Sequence, residues 1–402
     1  MRSNIKREAK LSELFDMQMG KTPDRNNLEY WENGTHPWIS IADMTSNGKV
    51  IEDTKECITD KAIYETGIKP IFPGTVIMSF KLSVGKVTRV LNKSYSNEAI
   101  MAFEIKDDLP IGIGLTNEYV YYLLSALDFT NTGNKAVMGK TLNKKILENT
   151  EVSIHSWESQ KEIVSILDKV DELIDMRKKQ LSKLDELVKS RFVEMFGDPV
   201  INDRGWLIDK LGNYMTTLTD FSANGSYELL DSNVVMYDEP NYAIMVRTTD
   251  LESGNLTSGV KYIDESAYNL LDKSKLFGGE LIMNKIGSAG KIYVMPHINY
   301  PASLGRNAFM FRFDSRLNIT YLYALLTSDY GVNEIQQYVR GAVTKTITKD
   351  STRSIRIIVP PIELQNEFKS FVEQVDKSKF EVKESLEKLE TLKKALMQEY
   401  FG

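Results

Sequence analysis

Apolar residues return every seventh position in two long stretches of the chain. Between Glu158 and Met195 the series is Leu167, Ile174, Leu181, Val188 and Met195, with Val170 and Leu184 at the companion spacing. In the last stretch Phe368, Val375, Val382, Leu389 and Leu396 repeat it, with Val372 and Leu386 beside them. Lysine and glutamate fill the intervening positions, so each stretch predicts a long helix of coiled-coil type, the first roughly 55 Å long at about 1.5 Å per residue. Two matching helices in one polypeptide can pair with each other in an antiparallel coiled coil, and a zipper between two chains is the alternative. Arg177, Arg191, Lys379 and Lys393 interrupt the apolar seams. Cations in such positions predict a surface offered to partner proteins.

Ahead of each long helix the period changes to short, β-branched, alternating runs punctuated by glycine, the pattern of strands and turns. Trp38-Ile39-Ser40-Ile41 answers Ala243-Ile244-Met245-Val246, and Thr75-Val76-Ile77-Met78-Ser79 answers Glu280-Leu281-Ile282-Met283-Asn284. Each region opens with a short amphipathic segment, Leu11–Phe15 and Leu211–Met215. Later each has a helical run, Glu118–Leu127 and Thr320–Ser328. The predicted class is α+β, with two mixed α/β units that each precede a long helix.

The two halves are related by a shift of 205 positions, seen from Gln160 to Gln365, Gly85-Lys86 to Gly290-Lys291, Lys140-Thr141 to Lys345-Thr346, and Phe196-Gly197 to Phe401-Gly402. A period of that size is a whole domain plus a linker, far above the roughly 20 to 50 residues of a solenoid repeat. The expected division is a first unit over residues 1–157, a helix over 158–197, a second unit over 198–361 and a helix over 362–402.

Composition narrows the function. The chain has 402 residues, 42% of them hydrophobic and 26% charged, enough for two domains with cores of their own. No apolar run approaches the roughly 18 residues of a membrane span, and the first residues are polar and charged, so a cytoplasmic protein with no secretory signal is expected. Cys57 is the sole cysteine, which leaves no intramolecular disulfide or thiolate zinc site. The histidines His36, His155 and His297 are dispersed, and Pro360 stands in the second copy where His155 stands in the first. No metal site is expected. A formal net charge of -6 means that any contact with nucleic acid must come from local basic patches.

Such patches occur in pairs. Lys135, Lys140, Lys144 and Lys145 follow one another without an acid between them, and Arg340, Lys345, Lys349, Arg353 and Arg356 enclose only Asp350. Each set lies just ahead of a long helix and carries a Lys-Thr pair. The functional reading is contact with nucleic-acid phosphates, and with base edges through Thr141, Asn143 or Thr346; the bland reading is a solvated loop. Lys81, Lys86, Arg89 and Lys93 answer Lys285, Lys291 and, further on, Arg306, where glycines Gly85, Gly287 and Gly290 suit either close approach to a groove or a tight turn. Gly133–Thr141 resembles a phosphate-binding loop but has one residue too many between its glycines, and its duplicate lacks the second glycine. Motifs for hydrolysis, methyl transfer, helicase action or nuclease chemistry are absent, so the chain is read as non-catalytic.

The layout resembles the specificity subunit of type I restriction-modification enzymes. The resemblance rests on the two units with long helices, on Val359-Pro360-Pro361-Ile362-Glu363-Leu364-Gln365 at the second helix start, and on Phe196-Gly197-Asp198-Pro199 at the first helix end. The first helix start, Ile154-His155-Ser156-Trp157-Glu158-Ser159-Gln160, lacks both prolines. The resemblance implies that the units are target recognition domains for double-stranded DNA, and that the helices act as a ruler and dock two methyltransferase subunits, joined by restriction and translocase subunits. It places S-adenosylmethionine, ATP and magnesium on those partners, with no cofactor on this chain. A bipartite, asymmetric target with an unread gap is expected. A recognition subunit of another restriction class and a coiled-coil scaffold with protein-binding ends remain open at this point.

Overall fold

The computed structural model describes residues 6–81, 83–129 and 142–402. The chain divides into two compact units: residues 1–178 with 384–402, and residues 179–383. Both long helices are therefore shared, and each unit holds part of both.

In the first unit the strands are β1 (Arg7–Lys10), β2 (Phe15–Met19), β3 (His36–Ile39), β4 (Val50–Ile51), β5 (Glu56–Ile58), β6 (Val76–Ser79), β7 (Val87–Val90), β8 (Tyr95–Ser96), β9 (Ile100–Ile105) and β10 (Glu151–Ile154). They form a sheet in the order β2-β9-β6-β7-β4, a second in the order β5-β3-β8, and the pair β1-β10. Helices α1 (Ile41–Asn47), α2 (Asn117–Ser125) and α3 (Lys144–Glu148) join them. Strand β6 is buried along its whole length, as expected of an apolar run in mid-sheet.

In the second unit the strands are β11 (Leu207–Lys210), β12 (Met215–Asp220), β13 (Ala243–Val246), β14 (Lys261–Ile263), β15 (Lys275–Leu276), β16 (Leu281–Asn284), β17 (Ile292–Val294), β18 (Ala302–Leu304), β19 (Ala308–Phe313) and β20 (Arg356–Val359), with helices α4 (Thr248–Ser253), α5 (Ile319–Thr327) and α6 (Lys349–Arg353). The order β12-β19-β16-β17 repeats that of the first unit, and β14-β13-β18 repeats β5-β3-β8. Strand β4 is an addition to the first unit and β15 closes the edge of the second.

Register corrects one correspondence drawn from sequence. Ile39 lies opposite Ser96 in parallel pairing, and Val246 opposite Leu304. The counterpart of β13 is thus His36–Ile39, two residues earlier than Trp38–Ile41. Ser40 and Ile41 instead cap and begin α1, where the Ser40 side chain and Asp43 form a capping box. At α4 only half of that box is made: Arg247 N donates to Asp250 Oδ2 at 2.8 Å, and the Arg247 side chain, a donor only, donates to the same carboxylate instead of accepting from the helix.

The long helices run Trp157–Phe196 and Ile362–Phe401. Within the first unit Lys393 pairs with Asp171 at 2.6 Å, Lys178 with Glu390 at 4.0 Å, and Arg177 Nε donates to Ser385 Oγ at 3.1 Å. Within the second, Lys379 pairs with Asp185 at 2.7 Å and Arg191 with Glu367 at 3.2 Å. Numbers rise on one helix as they fall on the other, so the helices run antiparallel in each unit. Arg177, Arg191, Lys379 and Lys393, read from sequence as partner-facing, are spent on this pairing. Long cationic side chains beside a seam can lay their stems along it and reach polar groups of the facing helix.

Each unit buries the start of one long helix and the end of the other. Ile163 and Leu167 enter the core of the first unit, with Phe401 packed against it, while Phe192, Phe196 and Phe368 enter the core of the second. Phe401 lies 5.5 Å from Tyr119 between ring centres, and Phe196 lies 4.7 Å from Tyr321. Gly197 follows at φ 77°, where a side chain would strike Asp203, and ends the helix in the left-handed turn that glycine takes without strain.

Candidate nucleic-acid interface

The repeated glutamine of each helix start is a pin inside its unit. Gln160 Nε2 donates to the carbonyls of Gly114 at 2.7 Å and His155 at 2.9 Å. Gln365 Nε2 donates to those of Arg316 at 3.2 Å and Pro360 at 2.8 Å, and its Oε1 accepts from Asn318 N at 2.8 Å. Both side chains are buried. His155 is buried as well and bonds through Nδ1 to the Tyr119 hydroxyl at 2.7 Å; burial pushes its pKa down to about 4. It is therefore neutral and part of the core.

In the second unit the two basic segments found in sequence are one surface. After β16 the chain turns at Lys285–Gly290, and the segment Arg340–Ile347 runs back beside it. Gly287 N donates to Lys345 O at 2.9 Å, Ile347 N to Lys285 O at 3.1 Å, and Lys285 N to Asn307 O at 2.9 Å. Arg306 follows Gly305 in the adjoining turn. Lys285, Arg306, Arg340 and Lys345 thus stand on neighbouring segments, with Lys345 exposed. Gly290, at φ 88°, faces Ile335 so closely that a side chain would collide, whereas Gly287, at φ 80°, has open space where a side chain would stand.

Several cations assigned to DNA contact are held by acids of their own unit. Asp220, only 6% exposed, lies between Lys285 at 2.7 Å and Lys349 at 2.8 Å. Burial alone would raise its carboxyl, but the two ammoniums outweigh it and hold the pKa below the usual range. Lys291 pairs with Glu252, and Arg306 with Asp231 at 3.0 Å. Arg340 donates to the carbonyls of Gln337 at 2.5 Å and Val339 at 3.1 Å. Thr346 bridges to Ile286 and Arg340 through its backbone.

In the first unit Arg89 pairs with Glu118 at the start of α2 and is mostly buried, which makes it a packing residue. Asn143 caps α3, its Oδ1 accepting from Ile146 N at 2.9 Å, so the oxygen of the amide assigned to base contact is used by the helix. Lys144 lies 3.7 Å from Glu148, Lys86 donates to Thr45, and Lys81 rests over Phe80. Lys135, Lys140 and Thr141, and with them the loop resembling a phosphate cradle, lie outside the described residues. The framework bond survives in this unit: Leu142 N donates to Phe80 O at 3.0 Å, as Ile347 does to Lys285.

The sequence matches the type I restriction modification DNA specificity domain over residues 6–186 and again over 213–394. The chain belongs to this family. It is 25% identical over 393 residues to the type I restriction enzyme MjaIX specificity subunit of Methanocaldococcus jannaschii, covering 90% of this chain and 85% of that one. It is 26% identical over 187 residues to the EcoR124I/EcoR124II specificity subunit of Escherichia coli, covering 45% of each. Among solved structures, the type I restriction-modification S subunit from M. genitalium aligns over 100% of this chain and 97% of its own with a TM-score of 0.54 at 13% identity. A chain from a structure of the type I system addressing complex assembly and conformational transition aligns over 99% and 97% with a TM-score of 0.58 at 16% identity.

With the two specificity domains superposed by strand register, their chemical differences can be read position by position. Phe80 N donates to Ala99 O at 3.0 Å as Lys285 N does to Asn307 O at 2.9 Å, and Asn97 N to Ile39 O at 3.1 Å as Gly305 N does to Val246 O at 2.8 Å. Glu98 of the first domain therefore occupies the position of Arg306 in the second. By the pairing of the sheet strands, Met19 stands for Asp220, since each lies opposite the matching residue of β9 or β19. Sequence comparison at a constant shift missed Glu98, Asp220 and Asp231. Isolated acids carry no signal of their own, and insertions around β3 and β9 break the shift.

Proposed function

We propose that this chain is the DNA-recognition subunit of a type I restriction-modification complex, reading a bipartite, asymmetric target and docking two methyltransferase subunits. The observation that carries the reading is a repeated framework with different chemistry at its basic edge. A symmetric pair of identical readers would require a palindrome, whereas two unlike readers select two unlike half-sites. The gap between them is expected to be about 5 to 8 base pairs, on the order of one helical turn or less. Adenine methylation and cleavage belong to partner subunits, which carry S-adenosylmethionine, ATP and magnesium.

The -6 net charge, together with lysines already paired to acids, predicts weak DNA binding by the isolated chain and a steep gain once modification subunits are added. The test is to express the chain with its neighbouring modification subunit in a methylation-free host and map N6-methyladenine. A gapped motif whose one half changes when residues 1–157 are exchanged supports the reading. A well-folded complex that leaves no modified motif overturns it in favour of a scaffold, and a single uninterrupted motif overturns the bipartite form.

A further inference from the structure

The turn between β18 and β19 holds a guanidinium in a fixed pose. Arg306 lies over the ring of Phe221 at 5.0 Å and within 5.9 Å of Tyr227. Asp231, on the helix Tyr227–Asn233, accepts from its Nη2 at 3.0 Å. No other hydrogen bond to this guanidinium is made among the described residues, so most of its fork is open. Arg247, across the same pocket, differs: its Nε and Nη2 are taken by Asp250 and by the carbonyl of Gly259. The pocket beside Arg306, of about 360 Å³, is walled by Phe221, Met245, Thr248, Thr249 and Asn307. Beyond Asn307 lie Lys285 and the Lys345 segment.

An arginine flanked by a carboxylate and an aromatic face has less rotamer freedom to lose on binding than one standing free. Its open donors match the two acceptors, O6 and N7, on the major-groove edge of guanine. Such orientation would help a phosphate contact as well, but the neighbouring carboxylate disfavours an anionic phosphate more than the neutral edge of a base.

The first unit carries the opposite charge at this place. Glu98 is exposed and accepts from the Thr22 hydroxyl. That bond, aided by Lys81 and Arg25 and opposed by burial, holds its pKa below the usual value. A carboxylate accepts but does not donate, and the base edge it suits is the N4 amino group of cytosine.

Resting on the proposed function, we infer that the equivalent positions 306 and 98 are base-reading positions of the two units: Arg306 reads a guanine in one half-site, Asp231 is its positioning residue, and Glu98 reads a cytosine in the other. The reversal of charge on one framework is what makes the half-sites unlike.

The experiment uses the full chain with its modification subunit and compares methylation motifs of the wild type, Arg306→Lys, Arg306→Ala and Glu98→Ala. The half-site read by each unit is first assigned by exchanging residues 1–157. Arg306→Lys keeps the charge and removes the fork. The expected result is that both Arg306 variants relax one guanine position of the second half-site, with discrimination falling roughly ten- to hundredfold, while every other position and the first half-site are unchanged. Glu98→Ala is expected to relax one cytosine of the first half-site alone. A wild-type second half-site without a G·C pair overturns the inference, as does an Arg306→Lys motif identical to wild type. Loss of all methylation by both Arg306 variants, in complexes that still assemble, overturns it too. The wild-type motif judges the proposed function separately: if no gapped motif appears there, that reading fails before any variant is compared.

Discussion

In the second unit Phe196 is buried between Tyr321 and Phe368, and Gln365 uses both ends of its amide; in the first, Phe401 is only half-buried beside Tyr119, and the Oε1 of Gln160 has no partner among the described residues. The two units thus share a set of contacts and realise them to different degrees. Their basic edges diverge further: Asp220 clamps two lysines in one, while in the other Met19 and Phe80 stand at the places of Asp220 and Lys285. A duplicated chain keeps what holds each unit to the helices, and varies what faces outward.

The largest expected contrast is in the aromatic knobs. Phe196→Ala should cost about 3 to 5 kcal/mol and Phe401→Ala about 2 kcal/mol, because the half-exposed ring leaves a smaller cavity. Hydrogen exchange read separately in each unit checks this. Each variant should loosen its own unit, and equal losses would break the comparison. Next is the glutamine pin. Gln365→Leu strands two carbonyls and an amide, and should cost about 2 to 3 kcal/mol; Gln160→Leu strands two carbonyls and should cost about 1 to 2 kcal/mol. Chemical denaturation of the two variants side by side measures the difference.

Asp220→Asn should destabilise the second unit by about 1 to 2 kcal/mol, since Lys285 and Lys349 can turn to water once released. The same change frees two cations for phosphate, so the salt dependence of DNA binding by the assembled complex should steepen by up to about 2 in log–log slope. An unchanged slope would mean that these lysines do not reach DNA. The smallest effect is a pH dependence peculiar to the first unit. The His155 pKa falls from 6.5 in the unfolded chain to about 4 when folded. The unfolded state therefore binds more protons between those values, and stability present above pH 6.5 is lost as the pH falls towards 4. At pH 5.5 the loss is about 1 kcal/mol, confined to the first unit because Pro360 holds the equivalent place; His155→Phe should remove the slope.

Periodicity made the long helices legible, because a seam repeated every seven residues has few other structures open to it. Leu167, Ile174, Phe368, Val375 and Val382 are buried as that pattern requires; Val188 is half-buried against the core of the second unit, and Leu181 and Leu389 in mid-seam are half-buried outside either core. Duplication made the sheets legible too, since β6 and β16 follow the constant shift. The pairing partners of charged side chains were not legible. Arg89 with Glu118, Lys285 with Asp220 and Arg306 with Asp231 are separated by 29, 65 and 75 positions. Local pattern reports which face of an element is apolar; it carries no record of which distant acid a cation will meet. That depends on strand order and register, through which small insertions place Glu98 and Arg306 at one position of a common frame. The chain's own periodicities settled its class, its duplication and its helices, because those follow from short-range spacing. Which cations stand unpaired among the described residues and which are bound within the fold was settled by packing, because charge pairing is a long-range contact that no local spacing encodes.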